Sequence, residues 1–143
     1  MSKTRVSETI KQRIRQAAGH RCGYCLAEQR RTLGILEIEH LVALACGGTD
    51  EESNLWLSCS LCNRYKGMQI EAIDLETNLL FPLFNPREQN WQEHFRWDEA
   101  GTRIIGLTPI GRATVQGLHL NNPIAVVVRT GWVEAGWHPP VNL

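Results

Sequence analysis

Apolar positions along this 143-residue chain change their period several times, and each change marks an element. Near the start, Val6, Ile10, Ile14 and Ala17/Ala18 recur at helical spacing, with Ser7 as a fitting N-cap and Gly19 as a stop. A helix is therefore predicted from Ser7 to Ala18. Between Leu33 and Leu44 the pattern alternates around Ile38, which predicts a strand. Glu37 and Glu39 then share one face, and His40 at the strand end turns the other way or is twisted by a bulge. A turn beginning at Asp50 leads into a second strand, Asn54 to Leu57, and Cys62 to Gly67 opens a short helix. Met68 to Leu80, with Ile70, Ala72 and Ile73, reads as a loop or short helical turn ending in Glu76-Thr77-Asn78.

The second half has a different texture. Phe95 to Trp97 and Thr102 to Leu107 pair as a hairpin whose turn has Gly101 to supply a positive φ. Thr108-Pro109 and Asn122-Pro123 each place a capping residue before a proline, so each starts a helix. On the second of these helices Ile124, Val127, Val128, Trp132 and Ala135 form an apolar stripe that is expected to pack. The expected organisation is a core at 1–68 and an extension at 69–143 packed on it, one compact unit.

Charge refines this picture. The chain is neutral overall, yet residues 1–31 hold Lys3, Arg5, Lys11, Arg13, Arg15, Arg21, Arg30 and Arg31 against Glu8 and Glu28, so 8 − 2 = +6. A basic face on a balanced protein is a candidate phosphate footprint; a solvated helix face is the plainer alternative for Lys11, Arg13 and Arg15. No apolar run approaches the roughly 18 residues of a membrane span. Without a charged-then-apolar leader, a cytoplasmic location is expected.

Thiols bring in the chemistry. Cys22 and Cys25 form one CxxC pair, and Cys59 and Cys62 form another after 33 intervening residues. One such pair can be redox-active, but two converge naturally on a single tetrahedral zinc, with room for a hairpin between them. Paired disulfides are the alternative and fit poorly with a leaderless chain. Cys46 is left over and is expected to be a small buried residue.

From Glu37 to Gly67 the chain reads EIEHLVALACGGTDEESNLWLSCSLCNRYKG. This stretch, with Glu39-His40, Gly47-Gly48, Asn54 and Cys62-Asn63, resembles the core of an HNH endonuclease, a ββα-metal nuclease. The tail resembles the extension of a group of small bacterial, notably cyanobacterial, HNH proteins, so the likeness covers nearly the whole chain. It implies an α+β fold: a zinc-braced ββα core with an N-terminal helix, a C-terminal hairpin and helices. It also implies catalytic roles for His40, Asn54 and Asn63, and a divalent cation held by the Glu39 carboxylate and the Asn63 carbonyl. Many relatives carry Asp and His at those two ligand positions, so oxygen ligands here favour Mg²⁺ or Mn²⁺ over nickel or zinc. Asn54 is expected to hold the loop and orient the histidine.

Hydrolysis of a phosphodiester needs a base for the attacking water and neutralisation of the leaving oxygen. A neutral imidazole is the natural base near pH 7, which suits His40. Arg64 and Lys66, just after Asn63, are candidate grips on a substrate phosphate. His94, His119 and His138 are expected to be scaffold. The expected partner is DNA, double-stranded, with zinc structural and Mg²⁺ or Mn²⁺ catalytic. Two other functions fit less of the sequence: an idle zinc module binding nucleic acid, and a zinc-stabilised protein-interaction domain using Trp91, Trp97, Trp132 and Trp137.

Overall fold

Ser7 caps the first helix as expected, its hydroxyl accepting from Ile10 N, and helix α1 runs Glu8–Ala17. The structure, a computed structural model, describes residues 6–141, so the expected phosphate contacts Lys3 and Arg5 lie outside the described residues. Within that range the chain forms two compact units. The first takes the described residues through Ile70 together with Asn85–Gln89; the second takes Glu71–Phe84 and the described residues from Asn90 onward.

In the first unit, β1 (Glu37–His40) pairs antiparallel with β2 (Leu55–Ser58), in the register Glu37 opposite Ser58 and His40 opposite Leu55. Helix α2 (Ser60–Lys66) follows directly. Ile14 of α1 meets Leu36, Leu55 and Leu57 in a buried cluster, edged by Val6, Ile10, Ala18, Ile38 and Cys59. Burial of each such Leu or Ile side chain contributes about 1.5–3 kcal/mol. The helical stripe and the strand alternation read from the sequence are thus two sides of one core. The segment Asn85–Gln89 belongs to this unit through Arg87, whose Nε donates to Leu55 O at 3.1 Å and whose guanidinium lies 5.3 Å from the Trp56 ring centre. Gly23 has no room for a side chain there: a Cβ would stand 2.5 Å from Trp56 and 2.6 Å from Pro86.

The second unit opens with an element the sequence pattern missed. Where a loop or helical turn was expected, β3 (Glu71–Asp74) and β4 (Leu79–Pro82) form an antiparallel hairpin. A short helix α3 (Trp91–His94) leads into the expected hairpin, β5 (Phe95–Trp97) with β6 (Ile104–Gly106), and Gly101 takes φ +75° in its turn. Both proline-started helices form, α4 (Pro109–Gly117) capped by Thr108 and α5 (Pro123–Glu134) capped by Asn122. Helix α4 packs on β3, β4 and β6.

The apolar stripe of α5 does not pack as expected. Ile124, Val127 and Val128 are 64%, 71% and 42% exposed, and the buried residue of the helix is Arg129. Its guanidinium donates to the carbonyls of Leu120 and Thr102 and lies 5.4 Å from the Trp97 ring centre, so carbonyl oxygens and an aromatic face satisfy the buried charge. The tryptophans that the protein-interaction alternative would use are mostly engaged within this unit: Trp91 is 8% exposed and packs on Phe95 and Trp97, and Trp132 and Trp97 flank His138. His94 bonds to Thr108 Oγ1 at 2.6 Å, inside the same framework.

Candidate functional site

Each CxxC pair is shaped by its own local turn. Leu26 N donates to Cys22 O and Cys22 N to Ala27 O, folding the first pair into a knuckle in which Leu26 takes φ +63°. In the second pair the Cys59 sulfur is the N-cap of α2, accepting from Cys62 N at 3.3 Å. The four sulfurs of Cys22, Cys25, Cys59 and Cys62 lie within 4.8 Å of one another, with Cys25 and Cys59 3.7 Å apart. A tetrahedral zinc with bonds of about 2.3 Å needs sulfurs about 3.8 Å apart, so this quartet could hold zinc once its wider-spaced sulfurs draw in. Burial would raise the Cys22 thiol, but hydrogen bonds from Cys25, Cys59 and Cys62 hold it well below its usual value. Hydrogen bonding with Cys22 pushes Cys25 and Cys62 well above theirs. Cys46 stands apart and, against expectation, is exposed, in the loop that follows β1.

That loop carries the Gly-Gly pair for two separate reasons. Gly47 takes φ +90°, a conformation favouring glycine, and Gly48 passes so close to the chain that a Cβ would collide with Val42 O. Asn54 closes the loop from inside. Its Oδ1 accepts from Val42 N at 3.0 Å, and its Nδ2 donates to Val42 O at 2.9 Å and to Thr49 O at 2.8 Å. The ends of the loop are thereby fixed, and His40 before it meets Asp50 within it: His40 Nε2 lies 2.7 Å from Asp50 Oδ1. An ionised carboxylate only accepts, so Nε2 is the donor here, and in the neutral ring that leaves the lone pair on Nδ1.

Facing the helix, β1 offers two carboxylates and α2 two partners one turn apart. Asn63 Nδ2 donates to Glu37 Oε1 at 2.7 Å. Lys66 Nζ lies 2.9 Å from Glu39 Oε1 and donates to the carbonyls of His40 and Leu41. Glu39 is 2% exposed and Lys66 3%. Lys66 was a candidate grip on phosphate; it stands instead as the buried counter-ion of Glu39, its donors spent inside the unit. Arg64 is exposed. The Tyr24 hydroxyl also donates to Glu39 Oε1, at 2.9 Å, while Glu39 Oε2 is buried with no partner. Burial raises the Glu39 carboxyl above its usual value, against the pull of Lys66 and the Tyr24 hydrogen bond.

The sequence reading passed over Tyr24 and Asp50 as site residues and gave Glu37 only a shared face with Glu39. Glu37 was findable from that strand period; Asp50 and Tyr24 offered no local signal, because their partners lie 10 and 15 residues away.

A four-cysteine site bracing two antiparallel strands and a helix defines a small zinc-type module of an α+β protein. Residues 22–69, about a third of the chain, match the family model "HNH endonuclease". No curated protein and no solved structure matches the chain. Among the described residues no helix is long and apolar enough to cross a membrane.

Proposed function

We propose that the chain is a metal-dependent endonuclease that hydrolyses DNA phosphodiester bonds, with His40 as general base. One observation carries this reading: His40 Nε2 is held by Asp50 at 2.7 Å, which leaves Nδ1 as the acceptor for a proton from water. In that role Asp50 orients the ring and stabilises the imidazolium formed as water attacks phosphorus. Asn54 acts at one remove, by fixing the loop that connects the two.

The family match and the donors present support a divalent ion, Mg²⁺ or Mn²⁺, held by Glu39 and Asn63. The unpartnered Glu39 Oε2 is the buried oxygen such a cation would satisfy, and the Asn63 N–H bond to Glu37 turns its amide nitrogen away from that duty. When bound, the ion supplies positive charge to the phosphate and the leaving oxygen. Lys66 tempers Glu39 from the other side, and Arg64 is the proposed phosphate contact on α2. Zinc on Cys22, Cys25, Cys59 and Cys62 is structural. The substrate is double-stranded DNA and the setting the cytoplasm, where thiols stay reduced for zinc.

Purified, zinc-loaded protein incubated with supercoiled plasmid and Mg²⁺ or Mn²⁺ tests the reading. The expected result is metal-dependent conversion to nicked or linear DNA. Plasmid that is bound yet stays supercoiled under all metals would leave a nucleic-acid-binding zinc module in its place.

A further inference from the structure

The described cations of the basic N-terminal region are not equivalent. Arg13 is ion-paired with Glu52. Arg21, Arg30 and Arg31 all converge on Glu28, at 3.6, 2.9 and 3.7 Å. Lys11 makes no ion pair or side-chain hydrogen bond among the described residues, and Arg15 meets Glu8 at 3.2 Å in a pair whose carboxylate is 70% exposed. An exposed pair of that kind is worth about 0–1 kcal/mol and yields readily to a stronger anion.

Lys11 and Arg15 are four residues apart on α1 and line the same cleft, of about 540 Å³. Its opposite wall is Ile35, Leu36, Glu37 and Ile38, the run leading into β1. Ile35 is 76% exposed there, and Leu33 beside it is fully exposed. One wall is cationic and the other aliphatic apart from Glu37, which matches a strand backbone with its anionic phosphates and apolar sugar faces. Glu37 gives the cleft a direction. Its Oε1 accepts from Asn63, so one side chain of the cleft also touches a proposed catalytic residue, and its negative charge keeps a phosphate toward Lys11 and Arg15.

We propose that the cleft between α1 and the Gly34–Ile38 run holds the backbone of the substrate strand beside the scissile phosphate, with Lys11 and Arg15 as its phosphate contacts and Ile35 against a sugar. This rests on the nuclease reading and adds a substrate subsite to it.

The test measures binding of zinc-loaded protein to a fluorescein-labelled DNA duplex across a NaCl series, without added Mg²⁺. Each phosphate contact contributes about 0.9 to the slope of log K against log salt. Lys11→Gln/Arg15→Gln should therefore flatten the slope by about 2, and each single variant by about 1. The charge-matched Arg96→Gln, exposed on β5, should leave it unchanged. In plasmid nicking with Mg²⁺, KM should rise several-fold with kcat held. A folded, zinc-loaded double variant with the wild-type slope and KM overturns the cleft assignment; should it fail to fold, the single variants decide on the same terms. Displacement of the duplex by inorganic phosphate alone, at matched ionic strength, would make this a free-anion site and overturn the strand assignment. Wild-type nicking alongside an unaltered double variant sinks the cleft alone, whereas wild-type protein that neither binds nor nicks DNA sinks the nuclease reading with it.

Discussion

The Tyr24 hydroxyl donates to Glu39 Oε1 at 2.9 Å, joining the turn between two zinc-type thiols to the strand that bears the candidate catalytic histidine. Tyr24 has no exposed surface, and burial together with the Glu39 charge pushes its phenol well above the ordinary range, so it remains a donor at any physiological pH. Tyr24→Phe removes that donor while keeping the ring. The loss of a hydrogen bond to a buried carboxylate should cost about 1.5–3 kcal/mol, read as a lower urea midpoint at constant m. An unchanged midpoint would mean that Lys66 alone suffices for Glu39.

Zinc content is the most direct expectation. Elemental analysis should find one zinc per chain, and Cys22→Ser should lose it together with most of the melting transition, because metal binding is here part of folding. Zinc-free protein melting at the wild-type temperature is the contrary result.

His40→Ala should lower plasmid nicking by about 10²–10⁴-fold while zinc content and duplex affinity persist. Asp50→Asn should fall in the same direction, since the amide no longer fixes the Nε2-protonated tautomer. Glu39→Ala is expected to differ in kind, with part of its rate restored by raised Mg²⁺ or Mn²⁺. Wild-type nicking by His40→Ala, with contaminating nuclease excluded, would falsify the base assignment.

Asp74 supplies a pH dependence of stability. Arg112 binds both its oxygens, at 2.8 and 3.1 Å, and holds its carboxyl well below the usual carboxylate range, helped by Thr77 and Glu76 N. A depressed folded-state value means that the stabilisation is full above the unfolded value of about 3.9 and is lost as pH falls through the folded one. The gap in urea midpoint between wild type and Asp74→Asn should thus be constant from pH 7 to about 5 and shrink below about 4. A gap independent of pH would detach the ion pair from stability.

Truncation after Met68 removes Arg87, its hydrogen bond to Leu55 O and its place over the Trp56 ring. The shortened chain should therefore be less soluble and show poorly dispersed amide spectra. Arg87→Ala in the full chain should reproduce part of the loss. A well-dispersed, active fragment would make the extension dispensable to the core.

Local periodicity identified α1, β1, β2, β5, β6 and the capped starts of α4 and α5, because their signals lie within a few residues of one another. It failed where a charge is buried by a distant partner. In β3 the buried positions are Ala72 and Asp74 and the exposed ones Glu71 and Ile73, so the hydropathy pattern is inverted at Ile73 and Asp74; Arg112, 38 residues on, is what makes Asp74 tolerable inside. Lys66 looked like a surface cation for the same reason, its counter-ion Glu39 lying on another element. On α5 the buried Arg129 and the exposed Val127 invert the apolar stripe, and the carbonyls that accept from Arg129 come from Thr102 and Leu120. At the site, Asn54 and the thiols were legible from motif spacing, whereas Asp50 needed the loop closed before it could meet His40.

The return of Asn85–Gln89 to the first unit, after Glu71–Phe84 has joined the second, sets an order of events at the ribosome. An N-terminal unit normally completes as soon as its last residue clears the exit tunnel. Here the strap that covers Leu55 O and Trp56 emerges only after the whole β3–β4 hairpin has been made. The nascent first unit must wait with that edge bare, and closing it spans a long loop, a slower step than any local pairing in the chain. Synthesis paused between Ile70 and Asn85 would be the moment of greatest exposure to aggregation, and the four thiols, all made by then, would be free to take zinc and add a brace to the paired strands.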